Sequence, residues 1–376
     1  MRIGTPKETA EGERRVALVP EVVKKLTGSG LDVLVERGAG AQAMIPDAQF
    51  EEAGATLTDD AAAVWQSDVV VKVAPPSAEE MVRLGSDSVL IGFLAPLSNA
   101  EGVRALAASG ATAFALEAVP RISRAQSMDA LSSQSNIAGY RAALIGAQEM
   151  GRFYPMLMTA AGTIRPATVL VLGAGVAGLQ AIATARRLGA VVQGFDVRAA
   201  VKEQVESLGA TFLELELATQ EGAGGYARAQ GEEFLARQRE LIGAHVAASD
   251  AVITTALVPG RRAPILVTED AVKRMKPGSV VVDLAGEAGG NCELSEPGET
   301  VIRHDVKILA PLNVPSTMAE HASQLYARNI QALLELMVKD GALALDFDDE
   351  VIAGACVTRD GEIVHEGAKA AAGQPA

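Results

Sequence analysis

Short apolar runs alternate along the chain with amphipathic stretches that carry its charges. In the first third, the runs that predict strands are RIGTP, LDVLVE, DVVVKV, VLIGFL and TAFALEAV. The stretches between them that predict helices are EVVKKLTGSG, AEEMVRL and EGVRALAASG. Strands that alternate with helices form βαβ units, so residues up to about 130 are expected to form one α/β domain.

A second series of apolar runs begins after a long stretch without proline. Six runs predict strands there: TVLVLGAG, VVQGFD, TFLELEL, DAVITTAL, SVVVDLA and VKILAP. There are two long helical patterns, Ser132–Tyr154, which contains no proline, and His321–Lys339, which contains no helix breaker. They are expected to lead from one domain to the other and back. The strand GACVTRDGEIVH would then return to the first domain, and the Ala/Gly/Pro-rich tail Glu366–Ala376 is expected to be disordered.

The segment Val169–Gly178, VLVLGAGVAG, carries a glycine fingerprint between a predicted strand and a predicted helix. In such a turn Gly173 permits the tight bend, Gly175 lets the backbone approach a pyrophosphate, and Gly178 allows close packing of helix on strand. The uncharged stretch Ala167–Ala185 also resembles a membrane span in its hydropathy. A β-branched half and an alanine-rich half on either side of the turn favour strand, turn and helix instead.

An acidic residue follows the second strand of this unit at the place where a dinucleotide site has one. Asp196 stands 18 residues after Gly178 and would accept hydrogen bonds from the adenosine ribose hydroxyls. It would also repel a 2′-phosphate, so NAD(H) is favoured over NADP(H), although Arg198 weakens that preference. The fold class that follows is α/β, with two Rossmann-like doubly wound parallel-sheet domains and a cofactor cleft between them. The first domain comprises residues 1–131 and 322–376, and the NAD(H)-binding domain comprises residues 132–321.

Small residues occupy two further strand ends, Thr254–Leu257 and Leu284–Gly286. Ligands of open α/β sheets bind outside the carboxyl ends of the strands, so these residues would leave room for a flat cofactor. They would equally allow tight turns, and both interpretations stay open. The glycine-rich stretch Ala218–Glu232 around Tyr226 is predicted to be a flexible loop. It would be either a lid over the cofactor or a plain mobile connection, and the second interpretation is preferred.

Composition narrows the class of protein and its partners. The 376 residues carry a net charge of −14, which argues against nucleic acid or an anionic membrane surface as a direct partner. Cys292 and Cys356 form no C-x-x-C motif and are expected to be free thiols in a reducing cytoplasm. Four scattered histidines predict no metal site. The N-terminus lacks the pattern of a secretory signal, so a cytoplasmic protein is expected.

The segment Pro120–Arg141 concentrates polar groups where the first domain meets the long helix. Its polar side chains include Arg121, Arg124, Gln126, Asp129 and Ser132. They would line a cleft between the domains. The structural alternative is that Ser132 or Ser133 caps the helix and that the arginines pair with carboxylates on the surface.

Four stretches together resemble one family, the NAD(H)-binding domain of proton-translocating, Re/Si-specific nicotinamide nucleotide transhydrogenase. They are PRISRAQSMDALSSQSNIAGYRA, GGYARAQGEEF, VVDLAGEAGGNCELSEPG and GACVTRDGEIVH. The first is similar to the family's arginine-glutamine-aspartate loop, and the second to its mobile loop. The resemblance extends from Met1 to about His365, and these stretches are more specific than the glycine fingerprint.

The resemblance implies an NADH site in which hydride passes directly to NADP+ on a partner subunit. The residues it places at the nicotinamide, in catalytic roles, are Arg121, Gln126, Asp129 and Ser132. The residues it implies in cofactor binding are Ile122, Ser123, Gly173, Gly175, Val176, Gly178, Asp196, Val197, Arg198, Gly225, Tyr226, Ala256 and Leu257. Hydride transfer between two nicotinamides requires no general acid or base, only reacting carbons held about 3–3.5 Å apart in a water-poor site.

The resemblance also implies partners. The chain would be a peripheral subunit, a homodimer at the inner face of the cell membrane that does not itself insert into the membrane. It would work with an NADP(H)-binding domain and with membrane-spanning subunits, to which proton translocation would belong.

Two other functions compete with this one. The N-terminal stretches RIGTPKE, ERRVALVP, LVERGAG and VVVKVAPPSAEE also resemble alanine dehydrogenase. Arg15 and Lys72 match the positions that bind substrate in that family, but Ala95 stands where it has a histidine, so the acid for its chemistry is missing. Lys72 is then expected to pair locally. The third possibility is a non-catalytic NAD-binding regulatory module.

Overall fold

Two compact units make up the chain, residues 1–134 with 315–376 and residues 135–314. A computed structural model describes residues 1–214 and 232–373, and the side chains of these residues except 232–237. The chain passes from the first unit to the second within one long helix.

The first 134 residues form a parallel sheet flanked by helices. Its strands are β1 (Arg2–Thr5), β2 (Asp32–Glu36), β3 (Thr56–Thr58), β4 (Val69–Val71), β5 (Val89–Gly92) and β6 (Thr112–Ala115). The helices are α1 (Pro20–Gly28), α2 (Asp47–Glu52), α3 (Ala61–Trp65), α4 (Ala78–Arg83), α5 (Ala100–Ser109) and α6 (Ala130–Glu149). The strand order is β3-β2-β1-β4-β5-β6, the order of a doubly wound dinucleotide-binding sheet.

The second unit repeats this order. Its strands are β7 (Leu157–Thr159), β8 (Gly162–Ile164), β9 (Thr168–Leu172), β10 (Val191–Phe195), β11 (Thr211–Phe212), β12 (Ala251–Thr254), β13 (Val280–Asp283), β14 (Thr300–Arg303) and β15 (Val306–Leu309). The helices are α7 (Val176–Arg187), α8 (Lys202–Ser207), α9 (Glu232–Ala248) and α10 (Glu269–Lys273). Parallel strands follow the order β11-β10-β9-β12-β13-β15, and β14 adds an antiparallel edge. β7 and β8 form a separate hairpin.

The C-terminal region of the chain belongs to the first unit. Its elements are α11 (Ala319–Met337), β16 (Val338–Lys339), β17 (Ala342–Leu343), α12 (Glu350–Ala355), β18 (Cys356–Arg359), β19 (Glu362–Ile363) and α13 (Glu366–Ala371). β18 pairs antiparallel with β6 and β19 pairs with β18, so they extend the first sheet.

The prediction of a disordered tail is wrong for its described residues, since α13 forms there. The amide of Ala368 donates to Nδ1 of His365 at 3.1 Å, so the histidine caps the first turn. The side chain of Ala368 is buried against the first unit. Alanine has a high helix propensity, and the cap and the burial of Ala368 both stabilise this short helix.

Both sheets have helices on both faces, as their apolar strands predict. In β9, Val169 and Val171 belong to one apolar core and Leu170 and Leu172 belong to another, because successive side chains point to opposite faces. The predicted α/β class with two doubly wound parallel sheets is therefore confirmed.

The uncharged stretch Ala167–Ala185 forms strand β9, the glycine turn and most of α7, as predicted. In the described residues of the chain, no helix is both long and apolar enough to cross a membrane. Of the predicted strand TFLELEL, residues 211–214 lie in the described part of the chain. Among these, Thr211 and Phe212 pair with β10 at the edge of the sheet.

Candidate functional site

The glycine turn between β9 and α7 allows close contacts that no side chain would permit. Gly173 has φ +98°, and a Cβ built on it would lie 2.6 Å from Oγ1 of Thr255. A Cβ on Gly178 would overlap the carbonyl oxygen of Gly173. Both positions therefore require glycine, and the helix begins directly against the end of the strand.

As far as the described residues show, the N-terminus of α7 is open above this turn. Gly175 is its N-cap residue, without a side-chain cap, and the nearest atom to a Cβ built there is Nη2 of Arg198 at 3.9 Å. The first N–H groups of a helix have no acceptor within the helix and carry partial positive charge. The twelve-residue helix thus presents donors and space that fit a pyrophosphate.

Asp196 and Arg198 lie beside this helix end. Oδ2 of Asp196 accepts a hydrogen bond from the amide of Ala174 at 2.8 Å, which ties the end of β10 to the glycine turn. The guanidinium of Arg198 binds both oxygens of the same carboxylate. The structure thus brings the predicted ribose residues to the turn, and it adds an ion pair that the sequence did not specify. Val197, between them, packs partly buried on the core.

The loop after β12 lies against the same turn. Oγ1 of Thr255 donates to the carbonyl oxygen of Gly173 at 3.0 Å. Ala256 is half-buried, and the side chain of Leu257 is 49% exposed. Val176, the first residue of α7, is 40% exposed. Small and partly exposed apolar groups therefore border the glycine turn, which agrees with space for a flat ligand.

The polar segment of the first unit folds as a short 3-10 helix, Ser123–Met128, ahead of α6. Arg121, Ser123 and Gln126 are exposed, whereas Ile122 packs partly buried on the core. Arg124 forms an exposed ion pair with Asp349, at 2.7 Å, as the structural alternative predicted for an arginine of this segment.

The cap of α6 differs from that alternative. The amide of Ser132 donates to Oδ1 of Asp129 at 2.8 Å, and its hydroxyl donates to Oδ2 at 2.6 Å. Asp129 is therefore the capping residue, and the prediction that Ser132 or Ser133 caps the helix is wrong. A carboxylate accepts from the amide and the hydroxyl together and also suits the positive helix end. The hydroxyl of Ser133 donates instead to Asn329 of α11, at 2.7 Å.

Two predicted site residues, Gly225 and Tyr226, lie outside the described residues. The other predicted residues fall into two groups, one in each unit. The glycine turn, the Asp196–Arg198 pair and the Ala256–Leu257 loop come together in the second unit. The segment from Arg121 to Ser132 belongs to the first.

The two cations that resemble the alanine dehydrogenase substrate site are both engaged by carboxylates. Lys72 is completely buried, and its Nζ donates to Oε2 of Glu8 at 2.7 Å. Burial raises the pKa of Glu8 above its ordinary value, while Lys72 opposes that rise. Arg15 binds Glu13 through two of its nitrogens, at 2.8 and 2.6 Å. The expected local pairing of Lys72 is thus observed.

The two thiols and the imidazoles of His245 and His304 have structural surroundings. Both cysteines are buried and free, and burial raises the pKa of each to about 11, so neither is a reactive thiolate at neutral pH. His245 contacts Gln193 and His304 contacts Glu269, both at 3.0 Å. Among residues 1–214 and 232–373, no cluster of three or more His, Cys, Asp or Glu side chains could hold a metal ion.

Sequence reasoning missed two polar residues that organise the strand ends, Asp283 and Asn291. Both side chains are completely buried. The available signal was a carboxylate that closes the apolar run VVVD and an asparagine that follows two glycines. The side chain of Asn291 is bonded to the backbone of Ala256, in the loop after β12.

A doubly wound sheet, a glycine turn at a helix end and an acidic residue after the second strand define a dinucleotide-binding protein of the Rossmann type. Comparison with known proteins identifies the family. The model of the alanine dehydrogenase/PNT N-terminal domain matches residues 4–138, and that of the C-terminal domain matches residues 142–366. The chain belongs to the alanine dehydrogenase/PNT family.

Transhydrogenases are more similar to the chain than alanine dehydrogenases are. It is 54% identical to an NAD(P) transhydrogenase subunit alpha polypeptide of Rhodospirillum rubrum, over 97% of this chain and 98% of that protein. A solved transhydrogenase structure from Sinorhizobium meliloti has 49% identity and a TM-score of 0.89, covering 97% of this chain and all of that one. A solved L-alanine dehydrogenase has 30% identity and a TM-score of 0.84, covering 99% of both chains.

The resemblance inferred from the sequence is thus confirmed, with alanine dehydrogenase as a more distant relative. The cofactor prediction is confirmed for the family, in which transhydrogenase alpha subunits bind NAD(H) and the partner subunit binds NADP(H).

Proposed function

We propose that this chain is the NAD(H)-binding subunit of a proton-translocating, Re/Si-specific transhydrogenase. It holds NADH while hydride passes directly to NADP+ on a partner subunit. The observation that carries the proposal is the open helix N-terminus over the glycine turn, in a chain 54% identical to a transhydrogenase alpha subunit over 97% of its length.

The residues of the second unit fit the adenosine and pyrophosphate parts of NAD(H). A side chain at Gly173 or Gly178 would meet backbone atoms, whereas the space at Gly175 is open to a ligand. The amides at the start of α7 would hold the pyrophosphate, and Asp196 with Val197 and Arg198 would bind the ribose. Val176, Ala256 and Leu257 would contact the flat parts of the cofactor. When bound, NADH supplies the hydride from its nicotinamide ring.

The polar segment of the first unit would act at the nicotinamide. We assign Arg121, Gln126, Asp129 and Ser132 to positioning the ring, with Ile122 and Ser123 beside them. Asp129 and Ser132 hold each other through two hydrogen bonds, so their geometry is set before any ligand binds. Positioning is sufficient because hydride transfer changes no protonation state on the protein. Gly225 and Tyr226 would complete the site.

The same proposal includes the assembly. An NADP(H)-binding domain accepts the hydride, and membrane-spanning subunits couple the transfer to proton movement. The chain itself is a homodimer, bound through those partners to the inner face of the cell membrane. The predicted domains, residues 1–131 with 322–376 and residues 132–321, would contribute the nicotinamide-positioning segment and the dinucleotide turn.

The test measures binding first and transfer second. Calorimetry on the isolated chain should show binding of NADH and much weaker binding of NADPH. Adding the soluble NADP(H)-binding domain of a transhydrogenase, loaded with NADPH, should allow reduction of an NAD+ analogue with a distinct absorbance. Tight NADH binding without transfer in the mixture would leave a regulatory NAD-binding module and reject the proposal.

Alanine dehydrogenase activity is the second candidate, and Arg15 with Lys72 is the observation in its favour. The geometry opposes it, since Lys72 is buried against Glu8 and Ala95 carries no acid. Incubation with NADH, pyruvate and ammonium should therefore give no NADH oxidation. Turnover under these conditions would establish the alanine dehydrogenase function instead.

A further inference from the structure

We propose that Asn291 is a positioning residue for NAD(H) binding, acting through the backbone of Ala256. The inference rests on the proposed function, because Ala256 belongs to the loop assigned to the cofactor. Among the described residues, the side chain of Asn291 forms hydrogen bonds with the backbone of Ala256 and Pro264. This side chain is completely buried in the second unit.

The side-chain amide of Asn291 holds Ala256 from both of its backbone groups. Oδ1 accepts a hydrogen bond from the amide of Ala256 at 3.0 Å, and Nδ2 donates to the carbonyl oxygen of the same residue at 2.9 Å. Nδ2 also donates to the carbonyl oxygen of Pro264 at 2.8 Å. The hydrogen bonds to the N–H and the C=O of Ala256 fix the two peptide planes on either side of it, as pairing with a neighbouring β-strand would.

Asp283 holds Asn291 in place from the end of β13. Its Oδ2 accepts from the amides of Asn291 and Cys292, at 2.8 and 3.0 Å, and from the hydroxyl of Ser295 at 2.7 Å. Its Oδ1 accepts from the hydroxyl of Thr254 at 2.8 Å. One buried carboxylate thus connects the end of β12 with the segment that carries Asn291, and these bonds offset the cost of burying its charge.

The position of Ala256 matters because it lies against the glycine turn. Its amide nitrogen would be 3.2 Å from a Cβ built on Gly173, and the preceding Thr255 donates to the carbonyl oxygen of Gly173. A shift of Ala256 would therefore change the space beside the turn. The side-chain amide of Asn291 limits that shift, so the conformation of the loop is fixed before a dinucleotide binds.

Two variants test this role, both measured by NADH calorimetry and thermal unfolding. Asn291→Ala removes all three side-chain bonds and should raise the NADH dissociation constant about tenfold. Asn291→Asp keeps the size and the acceptor but, when ionised, faces two carbonyl oxygens, so the loss of affinity should be at least as large. The transfer rate at saturating NADH should change less than the affinity does.

Asp250→Asn is the matched control. Asp250 precedes β12, at the end of that strand away from Ala256. It forms ion pairs with Arg152 and Lys276 and accepts a hydrogen bond from the backbone amide of Thr168. This variant should lower the unfolding temperature of the protein while leaving the NADH dissociation constant unchanged. Equal losses of NADH affinity in Asp250→Asn and Asn291→Ala would show that Asn291 contributes only to general stability, and this would contradict the proposal.

Amide hydrogen exchange of the unaltered chain provides a test that needs no variant. The amide of Ala256 should be protected without NADH, since it donates a hydrogen bond to Oδ1 of Asn291. Exchange at the rate of an unprotected amide would overturn the inference. If the natural chain binds NADH and both Asn291 variants fold and bind it equally well, the inference fails and the proposed function stands. Absence of NADH binding by the natural chain would instead reject the proposed function.

Discussion

The guanidinium of Arg198 binds the carboxylate of Asp196 at two points, with Nε 3.0 Å from Oδ1 and Nη2 2.9 Å from Oδ2. The same two oxygens also accept hydrogen bonds from the backbone amides of Arg198 and Ala174. A carboxylate has about four acceptor positions, so these four bonds occupy them all. Under the proposed assignment, a ribose hydroxyl would compete with these four donors for the carboxylate of Asp196.

Replacing Asp196 should change which nucleotide binds. Asp196→Ala removes the acceptor for ribose hydroxyls and should weaken NADH binding by roughly 1.5–3 kcal/mol. It also removes the carboxylate that neutralises Arg198, whose guanidinium would attract a 2′-phosphate, so the ratio of NADPH to NADH affinity should rise. Calorimetry with both nucleotides measures this. In Arg198→Leu the NADPH affinity should fall instead, and unchanged NADH affinity in Asp196→Ala would contradict the ribose assignment.

Gln126 should affect transfer more than binding. Gln126→Asn shortens an exposed side chain in the polar segment and should slow hydride transfer about 10- to 100-fold in the reconstituted complex, because small displacements of reacting groups are costly. The NADH dissociation constant should stay within a few-fold. Single-turnover kinetics at saturating NADH separates the two effects. A large loss of affinity with a normal rate of transfer would show that the assigned role is wrong.

The packing of α7 against the glycine turn should tolerate no methyl group at Gly178. Gly178→Ala places a carbon on the carbonyl oxygen of Gly173 and should lower the free energy of unfolding by about 2–4 kcal/mol. Urea denaturation measures the loss. Gly28→Ala is the control, since no atom lies within 4 Å of a Cβ built at that helical glycine, and it should be neutral or slightly stabilising.

Lys72 should contribute to stability and not to NADH binding. Lys72→Met leaves Glu8 buried without its cation and should cost about 3–5 kcal/mol in the free energy of unfolding. The double variant Lys72→Met/Glu8→Gln should recover part of that loss, because it also removes the buried charge of Glu8, while the carboxylate of Glu80 remains. Thermal unfolding and calorimetry test both statements. A normal stability of Lys72→Met would contradict a structural ion pair.

Glu117 should make the first unit less stable as pH rises. Its Oε1 accepts the amides of Leu94 and Ala95, at 2.9 and 2.5 Å, and its Oε2 has no hydrogen-bond partner among the described residues. Burial raises its pKa from 4.5 to about 7. Between pH 4.5 and about 7, the carboxyl of Glu117 therefore keeps its proton in the folded state and has lost it in the unfolded state.

The stabilisation from this proton is complete below pH 4.5 and is lost as the pH rises through about 7. The total change is about 3 kcal/mol, from a pKa difference of roughly 2.5 at 1.36 kcal/mol each. Glu117→Gln keeps the shape without the titration, so the difference in unfolding free energy between it and the natural chain should vary over this window. A constant difference from about pH 4 to 8 would refute the assignment.

Local hydrophobic patterns in the sequence predicted most strands of the two sheets. The run Val169–Leu172 is apolar at every position because helices cover both faces of its sheet, and the sequence alone indicates that. The glycine turn is equally local, since its three glycines lie within a few positions of one another. Short or exposed strands such as β3, β14 and the β7–β8 hairpin gave no such pattern, because few of their side chains are buried.

Contacts between distant residues were decided only by the tertiary structure. The bond from Ala256 to Asn291 joins residues 35 apart, and the pair of Lys72 with Glu8 spans 64 positions. Even nearby, sequence spacing did not choose Asp129 over Ser132 as the helix cap, since both are good capping residues. Periodicity and turn chemistry depend on neighbours in the chain, so the fold class and the dinucleotide turn could be predicted before the structure. Which polar groups meet depends on how strands from separate segments align, and only the folded chain sets that.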